Sequence, residues 1–248
     1  MTFRQRTTVV GYDGSRSARA ALDWATADVV QRGSELLVLH VEGSPETPAT
    51  VLAEALARVR RRAPELPVTL ESGRSLVAAS CTAEMVVLGV PEQPHALIAA
   101  LVAGAHCPVI LVSGRTPVPE AGGAVRVGFD GSPGAERALF FAAERADRLG
   151  VPLVVTVAFS GTAAASPAAD AAAVLAESAR VRVRRTFPGV RVSHEVLEGT
   201  AVPVLSEASR DCGLVVVGNQ GRGLTTGPRS SVGHDLVTRS HSPLAVVH

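Results

Sequence analysis

The 248 residues contain no lysine, so all 24 basic side chains are arginines. That absence excludes chemistries built on a primary amine: the phosphate-gripping lysine of a P-loop, a Schiff-base nucleophile and the strand lysine of protein kinases. Aromatic residues are scarce, at 3%, so Ala, Val, Leu and Gly have to fill the interior. Only three cysteines occur, Cys81, Cys107 and Cys212. Their odd number and the lack of any C-x-x-C speak against a disulfide framework and against a zinc site. They read as small buried hydrophobes near sheet edges, in a protein of the reducing cytoplasm. No run approaches the ~18–20 apolar residues needed to span a bilayer, and Met1–Arg6 leads into a strand without the apolar segment of a signal peptide. An excess of one charge is missing too: 24 Lys+Arg against 23 Asp+Glu leave +1, which provides no basic surface for nucleic acid or acidic lipid. The seven histidines show no H-E-x-x-H or comparable spacing, so no metal site is expected, and without a G-x-S-x-G elbow there is no support for a triad hydrolase.

What is present is an internal duplication. Sliding the sequence by 117 places Asp13 on Asp130, and from Val10 to Val38 the two copies align without a gap. Gly11/Gly128, Asp13/Asp130, Gly14/Gly131, Ser15/Ser132, Leu22/Leu139 and Gly33/Gly150 are among the identical pairs. A shared Gly-x-Asp-Gly-Ser at one register exceeds what an Ala-rich composition produces by chance. Between the copies the stretch GRTPVPEAGG has the Pro and Gly content of an extended linker. The expected domains are 1–114 and 125–248, joined by 115–124.

Each copy opens with a short apolar strand, Thr8–Tyr12 or Val125–Phe129, followed by an Asp-Gly-Ser turn. The serine is a natural helix N-cap, and Pro133 suits the first helical position. Apolar residues then recur at helical spacing until Gly33 or Gly150, and Leu36–Val41 and Leu153–Ala158 read as buried strands. In copy two the alternation continues with a helix from Ser166-Pro167 to about Phe187, a strand Val190–Val196, a helix after Thr200, a strand Leu214–Val217, a short helix from about Val232 and a last strand Pro243–Val247. Copy one has helices near Pro48–Ala63, Leu76–Cys81 and Ala96–Ala105, and strands near Val68–Leu70, Met85–Leu88 and Val109–Val112. Strands alternating with helices imply parallel pairing, right-handed crossovers and a sheet covered on both faces. Ligands in such sheets sit beyond the carboxyl ends of the strands where strand order reverses. That directs attention to Asp13 with Gly89, and to Asp130 with Gly218.

After its fourth strand, copy two runs Gly218-Asn219-Gln220-Gly221-Arg222-Gly223 and continues through Thr225, Thr226 and Gly227 to Ser230-Ser231-Val232-Gly233. These residues resemble the universal stress protein family, whose nucleotide-binding members carry G-x2-G-x9-G-[S/T] after this strand. The resemblance covers essentially the whole chain as two tandem domains. It implies two open, twisted, parallel five-stranded sheets of Rossmann-like α/β type with helices on both faces. It further implies an adenine-nucleotide site in the second domain only, for ATP with or without Mg. Gly218, Gly221, Ser230 and Ser231 would line the triphosphate, Phe129 and Asp130 would lie by the nucleoside, and Ala158 and Val232 near base or sugar. Independently of the name, glycines let backbone N–H groups approach phosphate oxygens, and hydroxyls at a helix start sit where the dipole favours an anion. Arg222 could add a planar cationic fork.

The match departs from the pattern at the family's third Gly, which by count from Gly221 falls on Ser231, or on Ser230 if one residue is missing, and Pro228 removes one N–H. Copy one departs outright: Gly89 is followed by Val90-Pro91-Glu92-Gln93-Pro94-His95, with an acid and two prolines where phosphates would lie. No triphosphate binding is expected there. No general base is evident near a γ-phosphate, so the expected role is a regulator in the stress response, not an enzyme. The alternatives are an interaction module that pairs domains or chains through the last strands Val109–Val112 and Leu244–Val247, and a slow ATP hydrolase using Asp130. Asp13 and Asp130 can equally serve as local turn residues. The arginine runs Arg58–Arg62 and Arg180–Arg185 read as solvated helix faces, and His194 as a surface residue.

Overall fold

A computed structural model describes residues 7–41, 46–91, 96–113, 123–160, 166–219 and 236–248. The chain divides into two compact units, Met1–Val118 and Pro119–His248.

In the first unit β1 (Thr7–Tyr12), α1 (Arg16–Arg32), β2 (Glu35–His40), α2 (Pro48–Arg62), β3 (Val68–Glu71), α3 (Leu76–Ser80), β4 (Met85–Val90), α4 (Ala96–Gly104) and β5 (Val109–Ser113) alternate along the chain. The strands order as β3-β2-β1-β4-β5, and every pairing within the unit is parallel. Since α1 and α2 connect strands moving one way from β1, and α3 and α4 strands moving the other way, right-handed crossovers put the two pairs on opposite faces. Accordingly α1 packs on α2, and α3 on α4.

The second unit repeats this plan with β6 (Val125–Gly128), α5 (Pro133–Leu149), β7 (Leu153–Phe159), α6 (Pro167–Thr186), β8 (Val192–Glu198), α7 (Ala201–Ala208), a 3-10 turn at Ser209–Asp211, β9 (Leu214–Gly218) and β10 (Leu244–Val247). Its order is β10-β9-β6-β7-β8, again parallel throughout. No helix among the described residues is long and apolar enough to cross a membrane.

The helix ends follow local chemistry. Ser15 and Ser132 cap α1 and α5 by accepting from Ala18 N at 3.2 Å and Ala135 N at 3.1 Å. Each such cap contributes about 1 kcal/mol. Thr47 and Ser166 do the same for α2 and α6, with Pro48 and Pro167 next in line. Large side chains such as Leu22, Leu36, Leu39, Met85 and Ile110 in the first unit and Leu139 and Leu153 in the second are fully buried. Alanines such as Ala21, Ala25, Ala138 and Ala142, all 0% exposed, let the helices approach the sheets closely.

The arginine runs are largely the solvated faces that their charge suggests, with Arg60, Arg61, Arg62, Arg184 and Arg185 exposed, but Arg58 turns inward. Arg58 donates to both carboxylate oxygens of Asp23 at 2.7 Å, and Arg62 adds a third bond at 3.1 Å. Asp23, on α1, is only 4% exposed. Hydrogen bonding to this carboxylate raises the Arg58 pKa. The thiols also divide differently from expectation: Cys107 is buried, Cys212 half-buried and Cys81 exposed. His194 is half-buried, with Nδ1 3.5 Å from Glu177.

Candidate functional site

In the second unit the strand order reverses at β6, which sends its chain to β7 while pairing β9 on its other side. A cleft partly open to solvent lies at this point. Its walls come from the end of β6 (Gly128, Phe129, Asp130), the start of α5 (Ser132, Ala135), β7 (Thr156, Ala158), α7 (Ala201, Leu205) and β9 (Val217, Gly218). Small residues keep it open, and Asp130, Ser132 and Thr156 supply its polar groups. Four of the residues singled out by sequence, Phe129, Asp130, Ala158 and Gly218, come together here. Gly221, Arg222, Ser230, Ser231 and Val232 lie outside the described residues, as do Pro228 in the second unit and Glu92, Pro94 and His95 in the first.

The Asp130 carboxylate has a structural task. Its Oδ1 accepts from Ser132 N at 2.9 Å, and Asp13 Oδ1 accepts from Ser15 N at the same distance. Both turns place glycine at positive φ, +78° at Gly14 and +74° at Gly131, which a side chain would strain. The aspartate-glycine-serine motif is therefore a strand-to-helix turn in both copies, whatever else Asp130 does. Gly218 has a similar double reading. A Cβ there would lie 2.4 Å from the Gly134 carbonyl carbon, and at Gly89 it would lie 2.3 Å from that of Ser17. Close approach of the α1 and α5 amino termini demands glycine at both places, which explains why copy one keeps Gly89 although its following loop has changed.

The walls of the two copies differ where sequence reasoning did not look. Thr156 occupies the position of Leu39, and Arg126 that of Val9, at the same offset of 117. Arg126 is 8% exposed, and its Nη1 donates to Thr156 Oγ1 at 2.8 Å and to Glu195 Oε2 at 2.5 Å, while its Nε has no hydrogen-bond partner. A buried guanidinium thus stands behind the cleft, tied to a hydroxyl that lines it. The available signal was an arginine and a threonine inside otherwise apolar buried strands.

Phe129 and Tyr12 also correspond, at 3% and 0% exposure. Arg182 lies over the Phe129 ring, 5.4 Å from its centroid, and pairs with Glu136 at 2.5 Å. In the first unit the charges are interchanged, since Arg19 on α1 meets Glu54 on α2 at 2.7 Å. Hydrogen bonding to Arg19 holds the Glu54 carboxyl below its ordinary range. The Tyr12 hydroxyl near this pair is buried without a hydrogen bond. Burial first, then the charge of Glu54, pushes its pKa up to about 12. Among the described residues no cluster of three or more His, Cys, Asp or Glu is placed to hold a metal ion.

The family model of the universal stress proteins matches residues 5–71 and 124–248. The chain belongs to the universal stress protein family. It is similar to universal stress protein Rv2005c of Mycobacterium tuberculosis, 31% identical over 90% of each chain. Rv2623 of the same organism is 29% identical over 96% of this chain and 95% of its own. Among solved structures, a universal stress protein of Archaeoglobus fulgidus superposes with a TM-score of 0.70 over 99% of both chains at 16% identity, a likeness of fold. The present universal stress protein carries its candidate site at the sheet's reversal point, and its two units build that point from different side chains.

Proposed function

We propose that this universal stress protein binds an adenine nucleotide, ATP, in the cleft of its second unit, with or without Mg, and that the first unit does not bind triphosphate. The observation that supports the reading is the convergence of Phe129, Asp130, Ala158 and Gly218 on one cleft at the end of β6 and β9. The fit is chemical as well as spatial. An apolar pocket with a few polar groups suits a nucleobase and sugar, and Asp130 offers a carboxylate able to accept from ribose hydroxyls or an exocyclic amine. Glycines 218 and 221, Arg222, Ser230 and Ser231 are assigned to the phosphates, through backbone N–H groups and one guanidinium. When bound, the triphosphate supplies negative charge that would order the 218–231 segment, and the role assigned to the protein is regulatory, the nucleotide altering a surface that a partner reads.

The test begins with denaturing the purified protein and identifying any released nucleotide by mass. ATP affinity is then measured for the wild type and for Gly221→Asp, whose carboxylate repels phosphate. One ATP per chain, lost in the variant, is the expected result. Absence of any binding in the wild type would overturn the reading. Hydrogen exchange of residues 218–231 that is unchanged by ATP would overturn the regulatory part alone.

A further inference from the structure

The first unit carries a thiol–imidazole pair that the nucleotide reading leaves unused. Cys81 follows α3 and is exposed, and its Sγ lies 3.7 Å from Nδ1 of His106, which is exposed as well. His106 precedes β5 and is fixed there by its backbone, whose N–H donates to Ser80 Oγ at 3.0 Å. The second unit repeats this fixture with His241 N donating to Ser209 Oγ at 2.8 Å. There the residue after the serine is Arg210, so the backbone arrangement belongs to the fold while the thiol is peculiar to the first unit.

The surroundings determine what the pair can do. Nδ1 is within reach of the thiol proton, and a thiolate so formed is the nucleophile in cysteine chemistry. The Val77 carbonyl is a second acceptor for the thiol, 3.9 Å from Sγ. Before α3, Arg74 donates to Ala78 O at 3.2 Å and Thr82 Oγ1 at 3.4 Å, and its partner Glu71 lies 3.9 Å away. The helix packed on α3, α4, contains no ionisable side chain. Cys107 and Cys212 are disfavoured as competitors because burial raises the pKa of both thiols, to about 12 for Cys107.

We propose that Cys81, assisted by His106, is a modification site for low-molecular-weight disulfides. In the exchange the Cys81 proton passes to His106 Nδ1, an Sγ–S bond forms to one sulfur of the disulfide, the disulfide S–S bond breaks, and the departing thiolate takes up the proton from the imidazolium. The disulfide is the oxidant, reduced by the amount that Cys81 is oxidised, and the reaction reverses with excess thiol.

The experiment treats the native full-length protein with oxidised glutathione and maps the adduct by peptide mass, with a chromogenic aromatic disulfide for rates. One adduct per chain is expected, at Cys81, lost in Cys81→Ser and kept in Cys107→Ser and Cys212→Ser. His106→Ala retains the backbone bond to Ser80 and is expected to slow the reaction at neutral pH by about threefold or more, the deficit narrowing as added hydroxide replaces the imidazole as proton acceptor. An adduct at Cys107 or Cys212 in place of Cys81, or no adduct on the folded protein, would overturn the site. An undiminished neutral-pH rate in His106→Ala would overturn the role of the imidazole. Circular dichroism of each variant separates these outcomes from a loss of fold.

Discussion

Replacing Asp130 and Asp13 by alanine, each alone, separates the turn that both aspartates build from a nucleotide contact that only one of them is proposed to make. Both Oδ1 atoms accept one serine N–H at 2.9 Å. The bond to Ser15 N is exposed, so water replaces the lost acceptor and the cost is about 0.5 kcal/mol. Ser132 is 4% exposed and this bond is part-buried, so its N–H regains water only incompletely, at a cost of about 1–2 kcal/mol. For a chain of this length these figures translate to a Tm lower by about 1–2 °C for Asp13→Ala and about 2–8 °C for Asp130→Ala. The asparagine variants, whose amide oxygen accepts the same bond, are expected to restore most of the loss at either position. Calorimetry gives the stability, and Trp24, the single tryptophan and only 5% exposed, reports unfolding of the first unit by fluorescence. Equilibrium binding completes the assay. ATP affinity is expected to fall at least about tenfold in Asp130→Ala, or about 1.4 kcal/mol, and to stay unchanged in Asp13→Ala. If Asp130→Ala loses stability yet binds ATP like the wild type, the carboxylate is a turn residue alone and its place in the site is withdrawn.

Two further outcomes follow from the differences between the units. Tyr12 is the only tyrosine, so phenolate absorbance reads it directly. Its pKa is raised from 10.0 to about 12 by burial and then by Glu54. The folded state therefore holds the phenol proton longer, and the associated stability is complete below pH 10 and is lost as pH rises from there toward 12, on the order of 2–3 kcal/mol. Tyr12→Phe, the residue of copy two, should abolish that alkaline loss, and a phenol titrating at its ordinary value would refute the argument. The paired change Arg126→Val with Thr156→Leu installs the copy-one side chains of Val9 and Leu39 behind and within the cleft. It removes the buried guanidinium together with its hydroxyl partner, so unfolding free energy should change by less than about 1 kcal/mol while Thr156→Val alone costs about 1–2 kcal/mol. The larger leucine side chain in the cleft wall should lower ATP affinity at least about tenfold, and an unaltered affinity in a folded double variant would move the ligand away from β7.

Sequence alone determined the repeat, the alternation of strands and helices and the reversal point of each sheet, because these depend on local signals. An Asp-Gly-Ser turn caps a helix wherever it follows a strand, and glycine ends a helix where a left-handed residue is needed. For the same reason Asp130 and Gly218 could be named before any coordinate was known, each at a strand end that the fold places at the crevice, whereas Phe129 and Ala158 were named through the family resemblance. Tertiary structure decided what depends on neighbours remote in sequence. Whether an arginine is solvated is invisible in its own helix, and Arg58 shows the reason, since its carboxylate partner Asp23 lies on another helix. Thr156 is an ordinary strand residue until Arg126 arrives from the next strand and ties it to the cleft wall. Gly218 read as a phosphate-binding glycine, and the structure shows that the backbone of α5 requires it in any case. The pairing of Cys81 with His106 spans 25 residues. No periodicity encodes it, because it arises only when the end of α3 and the segment before β5 are brought to one side of the same sheet.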